Sequence, residues 1–68
     1  MSKFEERLIE LRKNKGLTQR ELAEASGVSS TAIANYEIGK RTPAMHCLIA
    51  LSRYFGCSID FLVGEKDY

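Results

Sequence analysis

Phe4, Leu8 and Leu11 recur at i, i+4 and i+7, with Glu5, Glu6, Arg7 and Lys13 elsewhere on the same stretch. That spacing puts the apolar side chains on one stripe of a helix. Ser2 is placed to cap its start, and Asn14-Lys15-Gly16 to end it, with Gly16 just past the last turn, where a left-handed residue closes a helix. Leu17 leads into Thr18, which forms with Glu21 the T-x-x-E pattern of a capping box, each side chain satisfying a free backbone N–H of the other. Leu22 and Ala23 then face inward, and Ser26-Gly27 stops the second helix. Val28 follows, and Ser29 caps a third helix, expected from Ser30 to about Glu37, with Ile33 and Tyr36 as its inner edge and Ile38-Gly39 as its end. Lys40-Arg41-Thr42 reads as a loop. Thr42-Pro43 reads as a helix start, threonine as N-cap and proline in the first turn, where its missing N–H costs nothing. This fourth helix is expected to run to about Tyr54 on a stripe of Leu48, Leu51 and Phe55, broken by Gly56. Ser58 caps a last short helix through Leu62, ended by Gly64. The pattern predicts an all-α, compact five-helix bundle over residues 1–64, followed by a frayed tail at 65–68. No strand signal, repeat or low-complexity segment is present.

Composition narrows the class. At 68 residues the chain reads as one domain with a marginal core, since a domain of about 60 residues buries only about 60% of its unfolded surface. With 44% hydrophobic residues and a single proline, a compact helical bundle is nevertheless within reach and disorder is not expected. Cys47 and Cys57 lie ten apart with no CxxC pair, and His46 is the only histidine, which excludes the usual zinc spacings. Both cysteines read as small, half-buried apolar residues, a single bridge being the alternative. No cofactor is implied, no small-molecule ligand is evident, and one histidine with no clustered carboxylates and no Gly-rich phosphate loop leaves nothing to carry catalysis. The apolar runs are far short of the ~18 residues of a membrane span, and no signal peptide is visible, so the chain is expected to be cytoplasmic with no membrane partner. Net charge is only +1. Locally, Arg12, Lys13, Lys15, Arg20, Lys40 and Arg41 outweigh Glu21, Glu24 and Glu37, so the positive charge gathers around residues 12–41. On charge alone that is equally an ordinary solvated surface.

Two short helices joined by a tight turn containing glycine form a helix-turn-helix unit, here at about residues 18–37. Counting Gln19 as the first position, Ala23 is fifth, Gly27 ninth, Ile33 fifteenth and Tyr36 eighteenth. Ala23 must be small where the helices cross, Gly27 can take a positive φ, and Val28 and Ile33 set the crossing. Ser30, Thr31, Ala34 and Asn35 are left pointing outward. From the residues alone, Thr31 and Asn35 are as well explained by plain solvated surface, Gln19 by an inert helix start, and Ser29 by capping with no further role.

Leu11-Arg12, Gly16-Leu17-Thr18-Gln19, Glu21-Leu22-Ala23, Gly27-Val28-Ser29, Ile33, Tyr36-Glu37, Gly39, Pro43, Leu48, Leu51, Gly56, Ser58 and Leu62 together resemble the lambdoid phage repressor and Cro-type, or Xre, helix-turn-helix family. The resemblance covers about residues 4–64. It implies sequence-specific binding of double-stranded DNA, with the second helix of the unit in the major groove. Carried over by position, Ser30, Thr31 and Asn35 are the base-edge readers; asparagine can pair bidentately with adenine, whereas serine and threonine specify weakly. Gln19, Ser29, Lys40, Arg41 and Thr42 would contact phosphates, and Arg20 is better read as solvated. The resemblance also pairs Arg12 with Glu37 in a salt bridge that orients the reading helix, the alternative being two surface charges worth little.

One helix with Ser, Thr and Asn readers makes few base contacts, and such modules usually act as pairs on near-palindromic half-sites. Ile49, Tyr54, Ile59, Phe61 and Val63 exceed what one core stripe needs. Family dimers imply Ile59 and Phe61, with Met45, at a homodimer interface, unless Phe61 folds back onto the core. The reading is a prokaryotic or phage transcriptional regulator, a repressor binding as a homodimer. A restriction-modification controller or an antitoxin-type autoregulator shares the fold and size. A protein-interaction module that has lost DNA binding is the alternative of another class.

Overall fold

The computed structural model describes residues 2–66, with Ser2 described by its backbone alone, so the cap expected of its side chain lies outside the described residues. Five helices follow one another: α1 (Ser2–Asn14), α2 (Gln19–Ser26), α3 (Ser30–Glu37), α4 (Met45–Phe55) and α5 (Ile59–Leu62). No strand occurs among the described residues. The fold class expected from the hydrophobic pattern is therefore the observed one.

The elements form where local chemistry and burial agree. Phe4 and Leu8 of α1, Leu22 of α2, Val28, Ile33 and Tyr36 of the turn and α3, Leu48 and Leu51 of α4, and Leu62 of α5 make one buried cluster. Leu11 and Phe55, the remaining members of the expected stripes, pack half-buried against it. Phe4 meets Tyr36 edge to face, with ring centroids 5.7 Å apart, which ties α1 to α3 directly. Cys47 and Cys57 are free thiols, half-buried against the same core. Burial raises the pKa of the Cys57 thiol above its ordinary value, because an apolar surrounding disfavours the thiolate.

One expectation needs correction. The fourth helix begins at Met45, not at Thr42-Pro43: its N-cap is Ala44, extended at φ −73° and ψ 158°, with no side-chain cap. The Ala44 carbonyl takes the N–H groups of Cys47 at 3.1 Å and Leu48 at 3.0 Å. The Ala44 backbone also opposes the rise of the Tyr36 phenol's pKa, a tertiary influence that a local capping signal cannot report. The first residues of the expected tail lie against α5. Glu65 and Lys66 are tied to α5 by N–H bonds to the Asp60 carbonyl at 2.7 and 3.3 Å, and the Lys66 carbonyl accepts from Arg7 Nη1 at 3.2 Å. Residues 67 and 68 of the expected tail lie outside the described residues.

Candidate nucleic-acid interface

The helix-turn-helix unit is built from the turn outward. At its entrance the capping box is complete: Glu21 N–H donates to Thr18 Oγ1 at 3.1 Å, and Thr18 N–H donates to Glu21 Oε1 at 2.8 Å. At the turn, Gly27 sits at φ +84°, the left-handed region that an L side chain resists, and its N–H closes α2 on the Ala23 carbonyl at 2.9 Å. Ser26 braces the same turn. Its hydroxyl donates to the Leu22 carbonyl at 2.7 Å and accepts from Val28 N–H at 3.3 Å. Val28 is then buried, and Ser29 Oγ accepts the Ala32 N–H at 3.1 Å to start α3.

Within α3 the two faces separate. Ile33 and Tyr36 are 0% and 4% exposed, and they fix the rotation of the helix about its axis. Ser30 and Thr31 are exposed, whereas Ala34 and Asn35 are half-buried rather than fully turned out. Thr31 and Asn35, four apart, lie one above the other on the same face. The helix ends on Ile38, with Gly39 at φ +75°, and the Lys40 N–H donates to the Asn35 carbonyl at 2.8 Å. A Cβ on Gly39 would come within 2.9 Å of the Glu5 carboxylate oxygens, the far end of a side chain that can swing aside, so it is the positive φ that favours glycine there. Lys40, Arg41 and Thr42 are all exposed in the loop that follows, as is Arg20 on α2.

The Arg12 guanidinium and the Glu37 carboxylate meet in a two-pronged pair, Nε to Oε2 at 2.6 Å and Nη2 to Oε1 at 2.9 Å. Their side chains are only 13% and 5% exposed, which removes them from the class of solvated surface pairs. The bond to Glu37 raises the Arg12 pKa, and it outweighs the opposing effect of burial. Arg12 Nη1 also donates to the Leu17 carbonyl at 2.8 Å. Gln19 joins the same cluster, its Nε2 donating to Glu37 Oε1 at 3.0 Å. Nothing local signals the Gln19–Glu37 bond, because the partners lie on different helices and 18 residues apart.

The residues expected at a dimer contact are dispersed in character. Met45 is 62% exposed at the start of α4, Ile59 packs half-buried on the core, and Phe61 is half-buried beneath the Arg7 guanidinium, 4.1 Å from its ring centroid. Arg7 Nη1 also donates to the Phe61 carbonyl at 3.2 Å. Phe61 is not among the side chains packed on the central cluster. Ile38, 71% exposed at the end of α3, is an apolar surface residue that the hydrophobic pattern did not single out. Among the described residues there is no group of side chains able to hold a metal ion, and no helix is long and apolar enough to cross a membrane.

The sequence pattern of the helix-turn-helix family matches residues 8–62. BcrR of Enterococcus faecalis, named an HTH-type transcriptional activator, is 44% identical over 64 residues, which make up 94% of this chain and 31% of that protein. ImmR of Bacillus subtilis, named an HTH-type transcriptional regulator, is 36% identical over 61 residues, 90% of this chain and 48% of that one. The chain thus spans about a third to a half of the length of these two relatives. A crystal structure of a transcriptional regulator from Listeria innocua superposes with a TM-score of 0.80 at 41% identity, over 90% of this chain and 57% of that one.

Proposed function

Because the chain belongs to the Xre-type helix-turn-helix family of DNA-binding transcriptional regulators, which are not enzymes, we propose that it binds a near-palindromic operator as a homodimer, with α3 of each copy in the major groove. The observation that carries this reading is the polar face of α3, Ser30 and Thr31 exposed and Asn35 one turn beyond, set opposite a buried Ile33 and Tyr36. Asn35 reads adenine through its N6 and N7 edge, and Ser30 and Thr31 add weaker base contacts. Gln19, Ser29, Lys40, Arg41 and Thr42 hold the phosphates on either side of the groove. Ser29 can do so while it caps α3: the cap uses a lone pair of Oγ, and the hydroxyl hydrogen is left to donate. The Arg12–Glu37 pair orients α3 rather than touching DNA. The second copy packs across Met45, Ile59 and Phe61.

The protein acts in the cytoplasm as a repressor, occupying an operator that overlaps a promoter. Repression is a matter of operator position, since a related module occurs in a protein named an activator. Selection of bound duplexes from a random pool tests the whole reading. Enriched sequences should contain two inverted half-sites about one helical turn apart, centre to centre. Enrichment of a single asymmetric half-site removes the homodimer, and no enrichment removes sequence-specific binding.

A further inference from the structure

We propose that the Arg12–Glu37 pair positions Gln19 as a phosphate contact: it grips one hydrogen of the Gln19 carboxamide and so aims the other at a DNA phosphate, which couples the ion pair to the phosphate contact. This rests on the DNA-binding reading above.

The argument starts from the chemistry of the carboxylate. An ionised carboxylate only accepts, so the side of the Gln19 amide that faces Glu37 is its nitrogen. That nitrogen carries two hydrogens. Glu37 Oε1 takes one at 3.0 Å, and the planarity of the amide then determines where the second points. Glu37 itself has little freedom, because Arg12 holds both its oxygens, at 2.6 and 2.9 Å. Arg12 is in turn held by the Leu17 carbonyl at 2.8 Å, one residue before the Thr18 cap of α2. The chain of contacts therefore returns to the helix that carries Gln19. A free glutamine side chain loses about 1.5–2 kcal/mol of rotamer freedom when it is ordered, and here that ordering is complete before DNA arrives. Because the carboxamide is neutral, its phosphate contact releases no counterion and leaves no mark on the salt dependence of binding.

Gln19→Met keeps the length of the side chain and removes the donors. Its effect is measured on affinity for a short random-sequence duplex at low salt, in the native background and in one where Arg12→Met and Glu37→Met together delete the ion pair. In the native background the loss should be about tenfold or more, the worth of one hydrogen bond to a charged acceptor, with the salt slope unchanged. In the second background it should fall below about twofold, since the carboxamide is no longer held. Equal losses in the two backgrounds overturn the coupling, and no loss in either overturns the phosphate contact as well. A native protein that binds no duplex overturns the DNA-binding reading itself, a separate result from both. A reading independent of that double replacement comes from the native protein by nuclear magnetic resonance. Before DNA is added, one of the two Gln19 side-chain hydrogens should be displaced by the carboxylate from its position in a solvated glutamine. On titration with duplex the other should move. Both hydrogens at solvated-glutamine positions in the free protein, or movement of the bonded one alone, overturn the proposal.

Discussion

Three hydrogens reach the Glu37 carboxylate, which is 5% exposed: two from Arg12 and one from Gln19. Removing one partner from a fully buried pair costs about 3–5 kcal/mol, most of it the penalty of an unpaired charge, and this part-buried pair should lose less. Tyr36, one residue earlier, shows the opposite case, a group kept neutral. Burial, chiefly, pushes its phenol from 10.0 up to about 12, and contact with the Cys47 thiol adds to the rise, while the charge of Arg41 and the Ala44 backbone oppose it. A phenol that ionises near pH 10 unfolded and near pH 12 folded keeps its proton better in the folded state. Between those values the unfolded state binds fewer protons, so stability is intact below pH 10 and falls as the pH rises toward 12. Denaturant midpoints of the wild type and Tyr36→Phe, followed from pH 9 to 12, should show the advantage of the wild type shrinking across that window. A constant difference between them would show that the phenol titrates at its ordinary value. The apolar character of Tyr36 is legible in its spacing from Ile33. Its proton is not, because Cys47, Arg41 and Ala44 reach it only through the fold.

At the scale of elements, α3 is the instructive case. Eight residues are too few for a stable isolated helix, which needs about 12–15 even in favourable sequences. It persists because Ser29 caps it, Ile33 and Tyr36 bury against α1 and α2, and Glu37 is pinned by Arg12. Its outer face can therefore be changed without unfolding it. Asn35→Ala keeps the backbone carbonyl that holds Lys40 and supplies a better helix former, so thermal stability should hold or rise slightly. Specific binding should weaken by about 1–3 kcal/mol and tolerance should widen at one position of the operator, while affinity for random duplex stays level. If specific and random duplexes lose affinity together, Asn35 reads no base. The three side-chain caps at Thr18, Ser29 and Ser58 were legible because an N-cap is a contact within one turn. The start of α4 was not, because Ala44 caps nothing with its side chain and so leaves no local signal.

For the whole molecule, the question is which surface a second copy covers. Phe61 is half-buried under Arg7 and outside the central cluster, although it sits beside Leu62, which is fully buried. An aromatic ring in that position contributes little to the core and much to a partner surface. Phe61→Ser should melt close to the wild type, losing mainly the contact with Arg7, and should sediment as monomer over concentrations where the wild type is dimeric. Operator affinity should fall more than half-site affinity. A variant that stays dimeric but melts far lower would move Phe61 into the core and the interface elsewhere, with the exposed Ile38 and Met45 as the next surface to test.

What the sequence determined by itself is whatever acts within a turn or two of chain: the number of helices, the caps at Thr18, Ser29 and Ser58, the inward stripes, the left-handed turn at Gly27 and the helix-turn-helix spacing. These depend on covalent neighbours and on apolar period, both of which are written along the chain. Tertiary structure decided the rest: the cover that Arg7 lays over Phe61, the bond from Arg7 to the Lys66 carbonyl, and the hydrogen bond that joins Gln19 to Glu37. Each of these joins groups distant in sequence. A periodic pattern records which face is buried, not which polar atom waits on the helix it meets.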